Sequence, residues 1–334
     1  MLREYVPTRR SRTALLAGTL QGCRCGLDTA ARESSLCQPA WHHPSGALVM
    51  FLHIHKAMGI TMCALADKNV DNVALNNNCL MPPFASHLSP KALVSPFHHA
   101  NLCPFSSLSA TGVSEVATRA KAVGENLTRR VGFIAAEGAM PSAVPLDAPV
   151  VWLTILREPA DRLVSAFGWY LRFPVFRQAD SRCSGNYPIV NSSTGHALGP
   201  EEWLVSYPPN MMARSLCGAN SLFTRGPSAR AVFASIDMRA ANAGLFRCAQ
   251  QRLRIFAVVG ILEHPHETQK VMAEVLGWVN FRSLYEHHNK APKSEELTAA
   301  ENKLRQRLAS DEHLLAVDSQ VYKTAKDALL LRAG

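Results

Sequence analysis

The run Phe51-Leu-His-Ile-His-Lys-Ala-Met-Gly-Ile-Thr61 sets an apolar stretch against a lysine, a glycine and a hydroxyl. A strand that turns into a helix through a glycine leaves free backbone N–H groups and a positive dipole end at the turn. Phosphate or sulfate fits such a place. Lys56 would add a point charge there, Gly59 a close backbone approach, Ile60 a further N–H group, and Thr61 an N–H and a hydroxyl. The pattern is not the Walker loop, because G-x-x-x-x-G-K-[ST] is absent. A surface lysine at an ordinary turn is the competing reading. Met58 carries a Cβ and is not expected to reach positive φ.

A second stretch, WLTILREPADRLVSAFGWYL over residues 152–171, repeats the design with Arg157 at the turn. A guanidinium can fork two N–H groups onto one phosphate. Ser165 lies two turns further on and reaches the same anion if the ligand crosses the helix start. The alternative is a salt bridge from Arg157 to Glu158 or Asp161, with Ser165 as a small packing residue. Two such turns on one sheet suggest a nucleotide with phosphates at both ends.

The elements that must hold these residues follow from periodicity and punctuation. Strands are expected at 47–54, 131–135, 150–156 and 254–260. Helices are expected at 60–68, 113–123, from Asp161 onward, and at 201–217, 228–252, 266–276, 294–309 and 314–332. Residues 76–112 and 178–200 are polar and rich in loop formers, and 1–45 reads as a tail. Strands separated by helices predict an α/β domain with a mainly parallel sheet.

Composition narrows the partners. The 334 residues are 47% hydrophobic and carry a formal charge of +9, with a pI near 9.2. Anionic partners suit such a chain. The cations are dispersed and not interleaved with aromatics, which argues against nucleic acid. The nine cysteines form no C-x-x-C pair, so a zinc ribbon is not expected. The sequons Asn126-Leu-Thr128 and Asn191-Ser-Ser193 lean towards a secretory lumen. No stretch approaches the ~20 apolar residues of a membrane span. Six arginines within residues 1–33 leave a transit peptide or a basic tail as readings of the N-terminus.

The two turns together resemble those of sulfotransferases that use 3′-phosphoadenosine 5′-phosphosulfate. FLHIHKAMGIT resembles their 5′-phosphosulfate loop, and TILREPADRLVS their 3′-phosphate motif. The tail DRLVSAFGWYLRF is most similar to the Golgi carbohydrate sulfotransferases, including the heparan sulfate 2-O-sulfotransferase and galactose-3-O-sulfotransferase groups. Asn210-Met-Met-Ala-Arg214 with Leu216-Cys-Gly218, Val259-Gly-Ile-Leu-Glu263 and Asp318-Ser-Gln-Val-Tyr322 resemble segments those enzymes carry. The usual Pro-Lys-Thr-Gly-Gly-Thr loop is altered: His55 stands for the proline and Met58 for the first glycine.

The resemblance implies a P-loop-NTPase-like parallel sheet with helices on both faces, forming one sulfotransferase domain over residues 46–332. It implies 3′-phosphoadenosine 5′-phosphosulfate as donor, no metal, and a carbohydrate hydroxyl as acceptor, with anionic glycans among the candidates. Lys56 would neutralise the leaving phosphate oxygen, the N–H groups of Gly59, Ile60 and Thr61 would hold the 5′-phosphate, and Arg157 and Ser165 would clamp the 3′-phosphate. The base of the 2-O-sulfotransferase group is a histidine in a His-Gly-His run, where this chain reads Ala135-Ala-Glu-Gly-Ala139. Glu137 is the nearest candidate base, and an exposed loop glutamate is the alternative. A Golgi lumen follows from the family, through an anchor not visible in this chain.

The histidines are weighed separately. His53 reads as a core histidine, His55 as a donor contact or a proline substitute, and His287-His288 as solvent-facing. His98-His99 with Cys103 has loose metal-like spacing, short of the three or four convergent ligands a site needs. Three other functions stay open: a non-catalytic nucleotide- or glycan-binding member of the same fold, a P-loop-like small-molecule kinase, and a basic adaptor with no nucleotide site.

Overall fold

Leu48-Val-Met-Phe-Leu-His53 is apolar along nearly its whole length, and a strand with that composition has no face to offer water. In the computed structural model it is β1, and all six of its residues are buried. The structure describes residues 47–54, 56–70, 132–137, 140, 149–172, 198–206, 210–217, 238–282, 294–311 and 313–334. The expected tail at 1–45, the loop at 76–112, the helix at 113–123, residues 178–197 of the second loop, both sequons, His55, His98-His99, Cys103 and His287-His288 lie outside the described residues.

The remaining strands are β2 (Phe133–Glu137), β3 (Val150–Leu156) and β4 (Val258–Ile261). They form one sheet in the order β2-β1-β3-β4, with every neighbouring pair parallel. The register sets Val49 beside Phe133 and Val151, and Leu153 beside Val258. The chain therefore leaves β1 towards β2 on one side and leaves β3 towards β4 on the other. The winding reverses between β1 and β3, and in open α/β sheets the crevice at the C-terminal end of such a pair is where ligands bind.

Eight helices are described: α1 (Gly59–Asn69), α2 (Pro159–Arg172), α3 (Pro200–Ser206), α4 (Met211–Leu216), α5 (Met238–Leu253), α6 (Pro265–Leu276), α7 (Glu295–Ala309) and α8 (Ala316–Ala333). α1 lies so close to β1 that a Cβ on Gly59 would overlap the His53 imidazole. α2 and α6 each begin with proline, whose missing N–H costs nothing at a helix start. The Glu158 carboxylate accepts from Asp161 N–H at 2.7 Å and so caps α2. One core surrounds the sheet, built on Phe51, Phe133, Leu153 and Val258 with residues of α5, α6 and α8. A second lies between α2, α3 and α7, where Leu163, Val164 and Phe167 meet Trp203, Leu304 and Leu308.

Several expected boundaries move. β2 runs on through Glu137 instead of stopping at 135, because pairing with β1 continues to His53. β4 begins at Val258, since Ile255 and Phe256 N–H groups bond back into the end of α5. The expected helix at 201–217 is two, α3 and α4, with Pro208-Pro209 between them and Asn210 at φ 55. α5 is described from Met238, and residues 228–237 of the expected helix lie outside the described residues. Met58 does take a left-handed conformation, at φ 63, contrary to expectation.

Candidate functional site

The turn after β1 is built from strained backbone. Lys56 stands at φ 67 and Met58 at φ 63, and Met58 directly precedes α1 without a side-chain cap. A non-glycine residue at positive φ is costly, and such residues gather at ligand-holding loops. The first-turn N–H groups of Gly59, Ile60 and Thr61 have no earlier helical carbonyl to bond within α1. Thr61 is buried and Lys56 half-buried.

The turn after β3 places Arg157 beside it. β1 and β3 are hydrogen-bonded neighbours, so the ends of the two strands lie side by side. Arg157 Nη1 donates to the Lys56 carbonyl oxygen at 3.4 Å, a long contact that leaves most of the guanidinium's donor capacity for something else. Arg157 Nε is buried with no hydrogen-bond partner among the described residues. Burial lowers the Arg157 pKa from its ordinary value; the carboxylates of Asp161 and Glu263 oppose this, and the cations Arg162 and Arg305 add to it. Asp161, weighed above as a salt-bridge partner for Arg157, is ion-paired with Arg305 of α7.

α2 supplies the far wall. The Lys56 ammonium lies over the Trp169 ring, 5.3 Å from its centroid. Ser165 is half-buried one helical turn before Trp169, on the same stripe of α2 as Asp161. Glu137, the last residue of β2, is paired in register with His53. That puts its backbone at the same C-terminal edge, one strand away from the Lys56 turn. His53 is buried and stacks on Phe51, in keeping with a core histidine.

Glu263 and Tyr322 enter the site from the two C-terminal segments singled out for their resemblance, without a role having been read for either. Glu263 follows β4; its Oε1 accepts from Glu158 N–H at 3.0 Å, and its Oε2 from the Tyr322 hydroxyl at 2.9 Å. One carboxylate thereby ties β4, the start of α2 and α8 together next to Arg157. Burial, then the bond to Glu263 and the neighbouring carboxylates of Glu263, Glu158 and Asp161, raise the Tyr322 phenol above its ordinary value. It is a neutral donor at physiological pH. Trp169 was also missed; its only sequence signal was its spacing of one turn from Ser165.

The arrangement suits a doubly phosphorylated or phosphosulfated ligand: a lysine, an arginine with spare donors and a helix start lie together at the C-terminal end of the sheet. Among the described residues no three His, Cys, Asp or Glu side chains converge as a metal site requires. Among the same residues no helix is long and apolar enough to cross a membrane. No protein-family model matches the chain, and no curated protein matches it.

Proposed function

We propose that this chain is a sulfotransferase of P-loop-like topology that moves a sulfuryl group from 3′-phosphoadenosine 5′-phosphosulfate to a carbohydrate hydroxyl. One observation carries the reading. Lys56 and Arg157 come from two separate strand-to-helix turns and meet at the winding reversal between β1 and β3. A donor with phosphate at both ends needs such a pair of cationic turns.

In this reading Lys56 neutralises charge on the bridging oxygen as the S–O bond to the 5′-phosphate breaks. The new S–O bond forms to the acceptor oxygen, and the acceptor's proton passes to Glu137. The N–H groups of Gly59, Ile60 and Thr61 hold the 5′-phosphate, and Arg157 and Ser165 hold the 3′-phosphate. Alignment and charge stabilisation supply most of the rate, as in phosphoryl transfer. The Cys217–Cys248 disulfide supports an oxidising lumen such as the Golgi. A second reading, a non-catalytic donor-binding protein, is favoured by Ala135-Ala-Glu-Gly-Ala139 where the related enzymes carry their catalytic histidine.

Calorimetric titration with 3′,5′-adenosine bisphosphate, adenosine 5′-phosphate and ATP–Mg²⁺ tests this. The bisphosphate is expected to bind most tightly. Arg157→Ala should weaken it by roughly tenfold or more, the scale of a charge-assisted hydrogen bond, and leave adenosine 5′-phosphate little changed. A preference for ATP–Mg²⁺ would indicate a kinase and overturn the proposal. Tight bisphosphate binding with no transfer to any glycan acceptor would select the non-catalytic reading.

A further inference from the structure

The helix that starts just beyond Arg157 also carries the ring on which Lys56 rests. Lys56 is held at both ends from this side: its carbonyl accepts from Arg157, and its ammonium lies over Trp169. The 5.3 Å separation is within cation–π range. Both side chains are half-buried, so water screens the attraction only in part. A lysine has a long, rotamer-rich stem, and fixing it costs conformational entropy wherever it is fixed.

We propose that Trp169 is a positioning residue for Lys56: its indole holds the ammonium against α2, and an arriving nucleotide phosphate draws it off the ring. This inference rests on the sulfuryl-transfer reading of Lys56. A phosphate offers a full negative charge where the indole offers a quadrupole, so the exchange runs towards the nucleotide once it binds. Restraint beforehand removes part of the entropy that Lys56 would otherwise lose at that moment. Because Trp169 is borne on α2, the helix behind Arg157 governs both cations of the site.

The test uses the full chain with 3′,5′-adenosine bisphosphate as probe. Acetic anhydride labelling of Lys56, read by mass spectrometry against the other lysines of the same sample, reports how tightly the ammonium is held. Trp169→Leu should speed Lys56 acetylation by about three- to tenfold, and Trp169→Phe by less, following the order of ring strength. Bisphosphate should change the tryptophan fluorescence of the wild type. Lys56→Met should abolish that change while calorimetry still registers binding. Trp169 also packs against the second core, so the phenylalanine variant carries the labelling test if the leucine variant unfolds. Equal Lys56 labelling in wild type and a folded Trp169 variant overturns the proposal, as does an undiminished fluorescence change in Lys56→Met. If no bisphosphate binds while the labelling difference persists, the sulfuryl-transfer reading falls and the release step with it, and the restraint of Lys56 by Trp169 stands alone.

Discussion

Met58 sits at φ 63 and Lys56 at φ 67, either side of Ala57. For a residue with a Cβ that conformation costs roughly 1–2 kcal/mol, and a β-branched side chain fits it worst. Met58 is partly buried against the main core, so replacing it with glycine would mix relief of strain with loss of packing. Isoleucine and leucine separate the two, because their volumes are close. Met58→Ile should lower the unfolding free energy by about 1 kcal/mol more than Met58→Leu, read from urea midpoints. Equal costs for the two would mean that position 58 leaves the left-handed region. At this scale the sequence was informative about residue type. Lys56, Arg157 and Glu137 all lie at the C-terminal edge of the sheet, and Ser165 lies on the helix that follows Arg157. It misjudged Met58, because backbone strain is set by what surrounds a residue, and a rule about one Cβ cannot see that the rest of the fold compensates.

At the scale of elements, α4 and α8 cap one another. Asn210 Oδ1 accepts from the N–H groups of Val317 and Asp318 at the start of α8, at 3.1 and 3.2 Å. Asp318 accepts in return from Met212 and Ala213 N–H at the start of α4, at 3.1 and 2.9 Å. Two buried helix starts, more than a hundred residues apart in the chain, thus satisfy each other's orphan donors. Burial raises the Asp318 pKa above its ordinary 3.8, against the pull of Arg162 and of the Ala213 and Met212 N–H groups. A raised folded-state pKa means that the folded protein binds more protons than the unfolded chain, so stability is highest below the ordinary value and falls as pH rises through the folded one. From about pH 4 upward, until its carboxyl has ionised in the folded protein, Asp318 therefore contributes a downward slope to stability. Asp318→Asn should flatten that slope while lowering stability overall, because an amide offers one acceptor oxygen in place of two. Denaturant midpoints across this pH range check it, and parallel profiles for the two proteins would refute the assignment. The helices themselves were legible, since α2, α6, α7 and α8 fall within a few residues of where capping and periodicity put them. The break between α3 and α4 was written as Pro208-Pro209 and was overlooked, whereas the exchange of caps depends on two distant helix starts meeting, which no local pattern encodes.

For the molecule as a whole, Cys217 at the end of α4 is joined to Cys248 within α5, across a separation of 31 residues. Closing a loop of that length in the unfolded chain is worth about 3–4 kcal/mol in the entropic account. The double substitution Cys217→Ala/Cys248→Ala should lower stability by about that amount. Urea unfolding of the two proteins measures it, and a variant as stable as the wild type would mean that the bond does not form. The spacing of apolar runs, prolines and helix starts was enough to decide that the chain is α/β with a parallel sheet, because strand and helix periods are properties of consecutive residues. Residue type at two turns was likewise enough to nominate an anion site. Strand order was decided only in three dimensions: β1 beside β3, with the winding reversing between them, is what brings the two cationic turns into contact. The approach of Trp169 to Lys56 and of Tyr322 to Glu263 was decided there too. Such contacts come from packing between segments distant in the chain, where the energy lies in side chains meeting across space and leaves no periodic trace in either segment.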